Sequence, residues 1–156
     1  MRTFLLSVAI FVLVLVSVAP AGAQTQTNEV KIYGYFFIAD KVPAAFKDIE
    51  VMDIEFPPYV DTAKHAAPDY GRISLKGRRA LDFPLLKPTL DGKNLSFKTK
   101  AVRGVSYEFS GTLNRTNFDE PQPGAEEIVL SGTLKKLSAG KEIAASQVTY
   151  RWELGD

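Results

Sequence analysis

The stretch VSYEFSGTL, Val105 to Leu113, decides the fold. Val105, Tyr107, Phe109 and Leu113 occupy alternate positions, Gly111 falls in the same series, and Glu108 lies on the opposite one. A period of two places successive side chains on opposite faces of an extended chain, so this is a β-strand with one face buried and one wet. The same grammar extends outward from it. In NLSFKT the apolar pair is Leu95 and Phe97. In EIVLSGTL it is Ile128, Leu130 and Leu134 around Gly132, and in SQVTYRWEL it is Val148, Tyr150, Trp152 and Leu154. Lys98, Lys100, Lys135, Thr149, Arg151 and Glu153 fall on the other faces. Four half-buried antiparallel strands follow.

Loop chemistry predicts their register. If Val102-Arg103-Gly104 and Ser138-Ala139-Gly140 are three-residue loops, Phe97 pairs with Phe109, Thr99 with Tyr107, Leu130 with Val148 and Ile128 with Tyr150. Each choice keeps the apolar residues on one face, whereas a bare two-residue loop throws them out of step. The tetrapeptide SGTL ends one strand at Ser110–Leu113 and recurs at Ser131–Leu134. The loop registers put Gly111 opposite Leu95 and Gly132 opposite Ser146. Matching the inner faces of the two SGTL strands then puts Ile128 beside Gly111 and Tyr107 beside Gly132. An interior glycine marks a bend or a close approach.

One apolar face needs a covering layer, and the N-terminal half supplies three more strand candidates: EVKIYGYFFIAD, DIEVMDIEF and GRISL. The first is apolar on both faces around Gly34, which suits a central strand better than an edge. PPYVDTAKHAAPDYG and KGRRALDFPLLKPTLDGKN, with five prolines between them, read as loops, with a short helix around Thr62 to Ala67. NRTNFDEPQPGAEE is a long connection of the kind that carries binding. The fold expected is all-β: an antiparallel curled sheet, as an up-and-down barrel or sandwich of about 7–8 strands, after an N-terminal signal peptide helix.

That signal is read from MRTFLLSVAIFVLVLVSVAPAGAQ: Arg2, an apolar run from Phe4 to Ala19, and small residues at Ala21-Gly22-Ala23. The pattern predicts cleavage after Ala23, giving a signal peptide at 1–23 and one domain at 24–156, secreted or periplasmic. The run is shorter than a membrane-spanning helix requires, so no transmembrane anchor is expected after cleavage. Arg2 is the one basic residue removed, so the 19 basic and 18 acidic residues become 18 of each. A neutral domain has no global attraction to nucleic acid.

The absence of cysteine removes disulfides, thiol nucleophiles and thiolate metal sites. His65 is the one histidine, without a partner at ligand spacing, and a solvated loop residue is its simplest reading. Asp48, Glu50, Asp53 and Glu55 lack the spacing of a calcium loop and read as a solvated strand face. Lys76, Arg78, Arg79 and Lys87 could meet an anionic group but read first as a polar loop. Neither a nucleophile elbow nor a phosphate-cradling loop occurs, so no enzyme, metal or cofactor is expected. Asn94 and Asn114 open N-glycosylation sequons, relevant only in a host that glycosylates exported proteins.

The aromatic residues are the best candidate site. Phe97, Tyr107, Phe109, Tyr150 and Trp152 share the inner face and either pack into a core or line a pocket for a small apolar ligand. LDGKNLSFKT, YEFSGTL, VLSGTLKK and VTYRWEL, from Leu90 to Leu154, resemble the strands of small exported bacterial lipocalin-like (calycin-type) β-barrel proteins. Where that family carries G-x-W near its first strand, this chain reads Tyr33-Gly34-Tyr35. The resemblance implies an up-and-down barrel that binds a small apolar molecule, and it carries over no functional residue. The expected function is therefore a secreted or periplasmic binding protein. The alternative is an extracytoplasmic structural or interaction domain with a packed core and an envelope or protein partner.

Overall fold

The computed structural model describes residues 30–60, 62, 66–77, 81–116, 118 and 127–154. The expected signal peptide, His65, Arg78, Arg79 and half of the predicted short helix lie outside them. Nine strands form one antiparallel sheet: β1 (Ile32–Ile38), β2 (Ile49–Tyr59), β3 (Asp69–Leu75), β4 (Asp82–Pro84), β5 (Thr89–Asp91), β6 (Asn94–Lys98), β7 (Val105–Leu113), β8 (Leu130–Ser138) and β9 (Lys141–Glu153). Their order is β4-β3-β2-β1-β9-β8-β7-β6-β5, so consecutive strands lie side by side except β4 and β5, which stand at the two ends, and β9 returns to β1. The sheet curls into a half-barrel, as the alternation predicted. The doubly apolar β1 is central, paired with β2 on one side and β9 on the other.

A narrow seam ties the two flanks of the curl. Leu85 bridges Thr99, the Leu86 amide donates to the Lys98 carbonyl, and the Lys100 amide donates to the Pro84 carbonyl, both at 2.8 Å. On its other side the same segment pairs with β3, Arg72 against Pro84 and Ile73 against Phe83. Residues 82–91 thus begin on β3 and finish on β6. This stretch was expected to be loop, and the correction has a physical cause. β4 and β5 are three residues each, the first ending in Pro84 and the second following Pro88, so they carry no period of their own, and their neighbours hold them extended. β2 likewise runs on through Pro57 and Pro58. Thr99, a buried polar residue, accepts from the Tyr107 amide through its hydroxyl at 2.9 Å, which satisfies it at the seam.

Both hairpin loops differ from the three-residue expectation in the same way. Val102 bridges Val105 across a two-residue turn with positive φ at Arg103 and Gly104. Ser138 pairs with Lys141 across Ala139 and Gly140, again both positive. Positive φ at both central residues is the type I′ geometry, whose twist matches that of the strands. One extra residue beside each turn restores the parity a two-residue turn would break: it lies between Thr99 and Val102 before the first turn, and in β9 between Glu142 and Ala144 after the second. The first register is the expected one, Phe97 opposite Phe109. The second is displaced by two residues: Leu130 pairs with Tyr150 and Gly132 with Val148, because the irregularity between Lys136 and Leu137 inserts its residue in β9.

The SGTL strands also pair differently from the expected match. Gly111 lies opposite Gly132, Ser110 opposite Thr133 and Thr112 opposite Ser131, so each Ser-Gly-Thr faces the other. A Cβ on Gly132 would stand 2.5 Å from the Gly111 Cα and 2.7 Å from Cζ of Phe109, and would meet the Ser110 carbonyl oxygen. One on Gly111 meets the Ser131 carbonyl oxygen and Phe109 in the mirror arrangement. The two backbones close up and the Phe109 ring lies across both glycines.

Gly132→Ala therefore forces backbone apart rather than moving a flexible side chain. Its expected cost is about 3 kcal/mol, the upper end of overpacking, whereas Ser131→Ala on the outer face stays within about 0.5 kcal/mol. Chemical denaturation of the two variants against the parent measures the difference.

Candidate functional site

The five inner-face aromatics come together as predicted, in a continuous core. Phe97, Tyr107, Phe109, Tyr150 and Trp152 are each 4% exposed or less. Phe97 stacks on Phe109 at 5.4 Å between centroids, Phe109 meets Tyr150 edge-on at 5.8 Å, and Phe83 meets Tyr107 edge-on at 5.0 Å. Such geometries are those that aromatic quadrupoles favour. Leu154, expected on the same face, is instead 47% exposed beyond the end of β9.

Described residues of the long connection between β7 and β8 pack against the core. Of that connection 114–116, Phe118 and 127–129 are described. Phe118 is buried against Trp152 at 5.3 Å and Phe36 at 5.9 Å, and the Arg115 guanidinium sits 5.4 Å from the Trp152 ring centre. The Trp152 indole N–H donates to the Tyr33 carbonyl at 2.6 Å, anchoring its ring to β1. The described part of the loop expected to bind thus turns inward as packing. A ligand among the five aromatics would have to displace ring-to-ring contacts.

Three concavities among the described residues lie on the outside of the barrel. After Leu85 turns into the core, the chain from Leu86 to Thr89 overhangs the outer face of β6, β7 and β8. Beneath it is a cleft of about 430 Å³. The overhang contributes Leu86, Lys87 and Thr89, and the sheet contributes Ser96, Ser110 and Thr133, with Lys98, Glu108 and Lys135 along one side. Leu86 is 44% exposed, a large apolar side chain held at the mouth. A second concavity of about 540 Å³ lies on the far side of the same Leu86–Lys87 ridge, toward Arg72 and Lys100. A third, of about 170 Å³, opens where Ser131, Gln147 and Thr149 meet Asp40, Lys41 and Pro43.

Two of the three lysines at the first cleft are held in ion pairs, and Lys87 on the overhang adds a further cation. Lys98 and Glu108, opposite one another on β6 and β7, form an ion pair at 2.7 Å, and Lys135 pairs with Glu142 at 2.8 Å. The hydrogen bond and the charge of Glu142 raise the Lys135 pKa, so its ammonium persists through neutral pH. On the opposite flank, Asp53 and Glu55 share the outer face of β2. Burial raises both pKa values; Arg72, 3.7 Å from Asp53, offsets part of the shift at Asp53, and Asp69 adds to both. Among the described residues no group of three His, Asp or Glu could hold a metal ion. Lys76 and Lys87 are exposed, and Asn114 donates its side-chain amide to the Ile128 carbonyl at 3.1 Å.

No protein-family model, curated protein or solved structure matches the chain. Sequence reasoning found the aromatic set through its period of two. It missed the outer cleft, because the overhang is made by the Pro-flanked segment read as loop.

Burial raises the pKa of both Tyr107 and Tyr150 above the usual tyrosine value of 10.0, with Asp48 adding to the shift at Tyr107. A raised folded-state pKa means the native phenols hold their protons after the unfolded ones ionise. Their contribution is complete below about pH 10 and is lost as pH rises beyond it. Denaturant midpoints followed across that range should fall steadily, and Tyr150→Phe should flatten the decline.

Proposed function

We propose that this chain is an exported binding module, secreted or periplasmic, that takes its ligand on the outside of the barrel, in the cleft under Leu86–Thr89. One contrast carries the reading: the interior candidates are occupied by one another, while the outer cleft combines depth, an exposed leucine and hydrogen-bonding side chains on a rigid sheet floor. Ligand sites are concave, partly apolar and supplied with a few placed polar groups, and this cleft meets that description. The apolar run and small-residue cleavage pattern at the N-terminus support export.

A second reading rests on the packed interior itself: an extracytoplasmic structural or interaction domain with no small ligand. The lone Trp152 separates the possibilities, since it lies in the core and reports only on events there. A ligand in the outer cleft raises the melting temperature by several degrees at saturating concentration and leaves the Trp152 emission unchanged. A small apolar ligand entering the core quenches or shifts that emission. Fatty acids, sterols, sugars and amino acids make a suitable panel. Leu86→Glu should abolish a thermal shift due to the cleft; a panel that moves neither signal supports the ligand-free domain.

A further inference from the structure

Registration of β6 to β9 places short neutral side chains in two adjacent rows on the outer face. One row runs Ser96, Ser110, Thr133, Gln147 and the other Asn94, Thr112, Ser131, Thr149. Thr89 on β5 extends the first row, and Asp40, which accepts a hydrogen bond from the Thr149 hydroxyl, closes the second. With strands about 4.8 Å apart, the rows cross roughly 15 to 20 Å of surface.

The first cleft has Ser96, Ser110 and Thr133 in its floor, and the small third one has Ser131, Gln147 and Thr149. The Gln147 side-chain amide donates to the Thr133 hydroxyl at 2.7 Å, joining the two floors. The rows therefore run between two concavities, walled at one end by Leu86–Thr89 and at the other by 40–43.

From this arrangement we infer that the two clefts are the ends of one track for an uncharged polyhydroxylated chain, a short oligosaccharide. The inference rests on the outer-face reading above and names its ligand class. Hydroxyls and amides supply donors and acceptors together, which a polyol can satisfy in either sense. Among the described residues no side-chain hydrogen bond engages Ser96, Ser110 or Ser131, so their hydroxyls are open to a ligand. Neither row contains a cation, and in the neighbouring row Lys98 pairs with Glu108 while Lys135 reaches along β9 to Glu142. A polyanion would find no cation in either row, and a fatty acid would find apolar lining only at the two ends, Leu86, Phe97 and Phe109 in one cleft and Ile38, Pro43 and Val148 in the other, with the polar rows between them. The floor is also stiff: Ser110 and Thr112 flank Gly111, Ser131 and Thr133 flank Gly132, and the close approach beneath fixes all four hydroxyls relative to one another.

Nitrogen-15 labelled protein titrated with neutral gluco-, galacto- and chito-oligosaccharides, with uronate oligomers and with decanoate tests the inference. The expected result is that a neutral oligosaccharide shifts amides of 94–96, 110–112, 131–133 and 147–149 as one contiguous set. Affinity should rise with oligomer length and be insensitive to salt. Thr133→Val combined with Ser110→Ala should weaken it about tenfold without changing the melting temperature. Uronate or decanoate moving the first cleft, with no response to neutral sugars, would overturn the inference and leave the outer-cleft reading intact. Neutral sugars that shift only residues under Leu86–Thr89 would reduce the track to one cleft and overturn it too. No response to any of these probes, together with no thermal shift from the wider panel, overturns both.

Discussion

The close contact of Gly111 with Gly132 is the constraint around which this barrel is arranged. Each glycine occupies a position where any Cβ would strike the carbonyl of the opposite strand and the Phe109 ring. Their absence of side chains lets Phe109 lie flat across the β7–β8 pair. From there it stacks on Phe97 and turns its edge to Tyr150, linking β6, β7 and β9 through one ring. Small residues at a bend and a large ring leaning into the space are how a sheet accommodates curl without leaving a void. The recurrence of SGTL is explained by pairing: the two copies need each other, one supplying the room the other requires.

Curl alone leaves a sheet with two edges, and the seam resolves them. Pro84, Leu85 and Leu86 satisfy backbone groups of β3 on one side and of the Lys98–Lys100 stretch on the other. A proline is tolerable there because its carbonyl can accept while no amide is demanded of it. Having crossed from β3 to β6, the chain must stand off the sheet to reach β5, and that departure creates the overhang and the outer cleft. The cleft is thus a by-product of closure, positioned by the same hydrogen bonds that join the flanks.

How much of this was readable in advance follows from which forces act locally. Strands β6 to β9 announced themselves because one face is buried and the other is wet, which writes a period of two into the sequence. Central placement of β1 was legible for the converse reason, apolar residues on both faces. The turns were not, because Arg103 and Ala139 adopt positive φ without being the Asn or Gly that advertises a type I′ turn. Each costs little locally and is dictated by the strands it joins. The bulge that follows preserved the faces while moving the β8–β9 register by two, so the pattern was right and the partners were wrong. Three-residue strands such as Asp82–Pro84 carry too few side chains to show a period at all.

The candidate sites divide along the same line. Inner-face aromatics were visible as a group because a strand repeats its own face. Ser96, Ser110, Thr133 and Gln147 come from four strands, and nothing in any one of them distinguishes a ladder rung from an ordinary solvated residue. Only the register makes them a row, and the register depends on two bulges and on the glycine pair. With Leu130 opposite Val148, as the simple loop predicts, Thr133 would face Ala145 instead of Gln147, the hydrogen bond joining the two clefts would be lost, and the track would break in the middle. The single inserted residue in β9 therefore does more than restore parity: it decides which polar side chains become neighbours across the outer face.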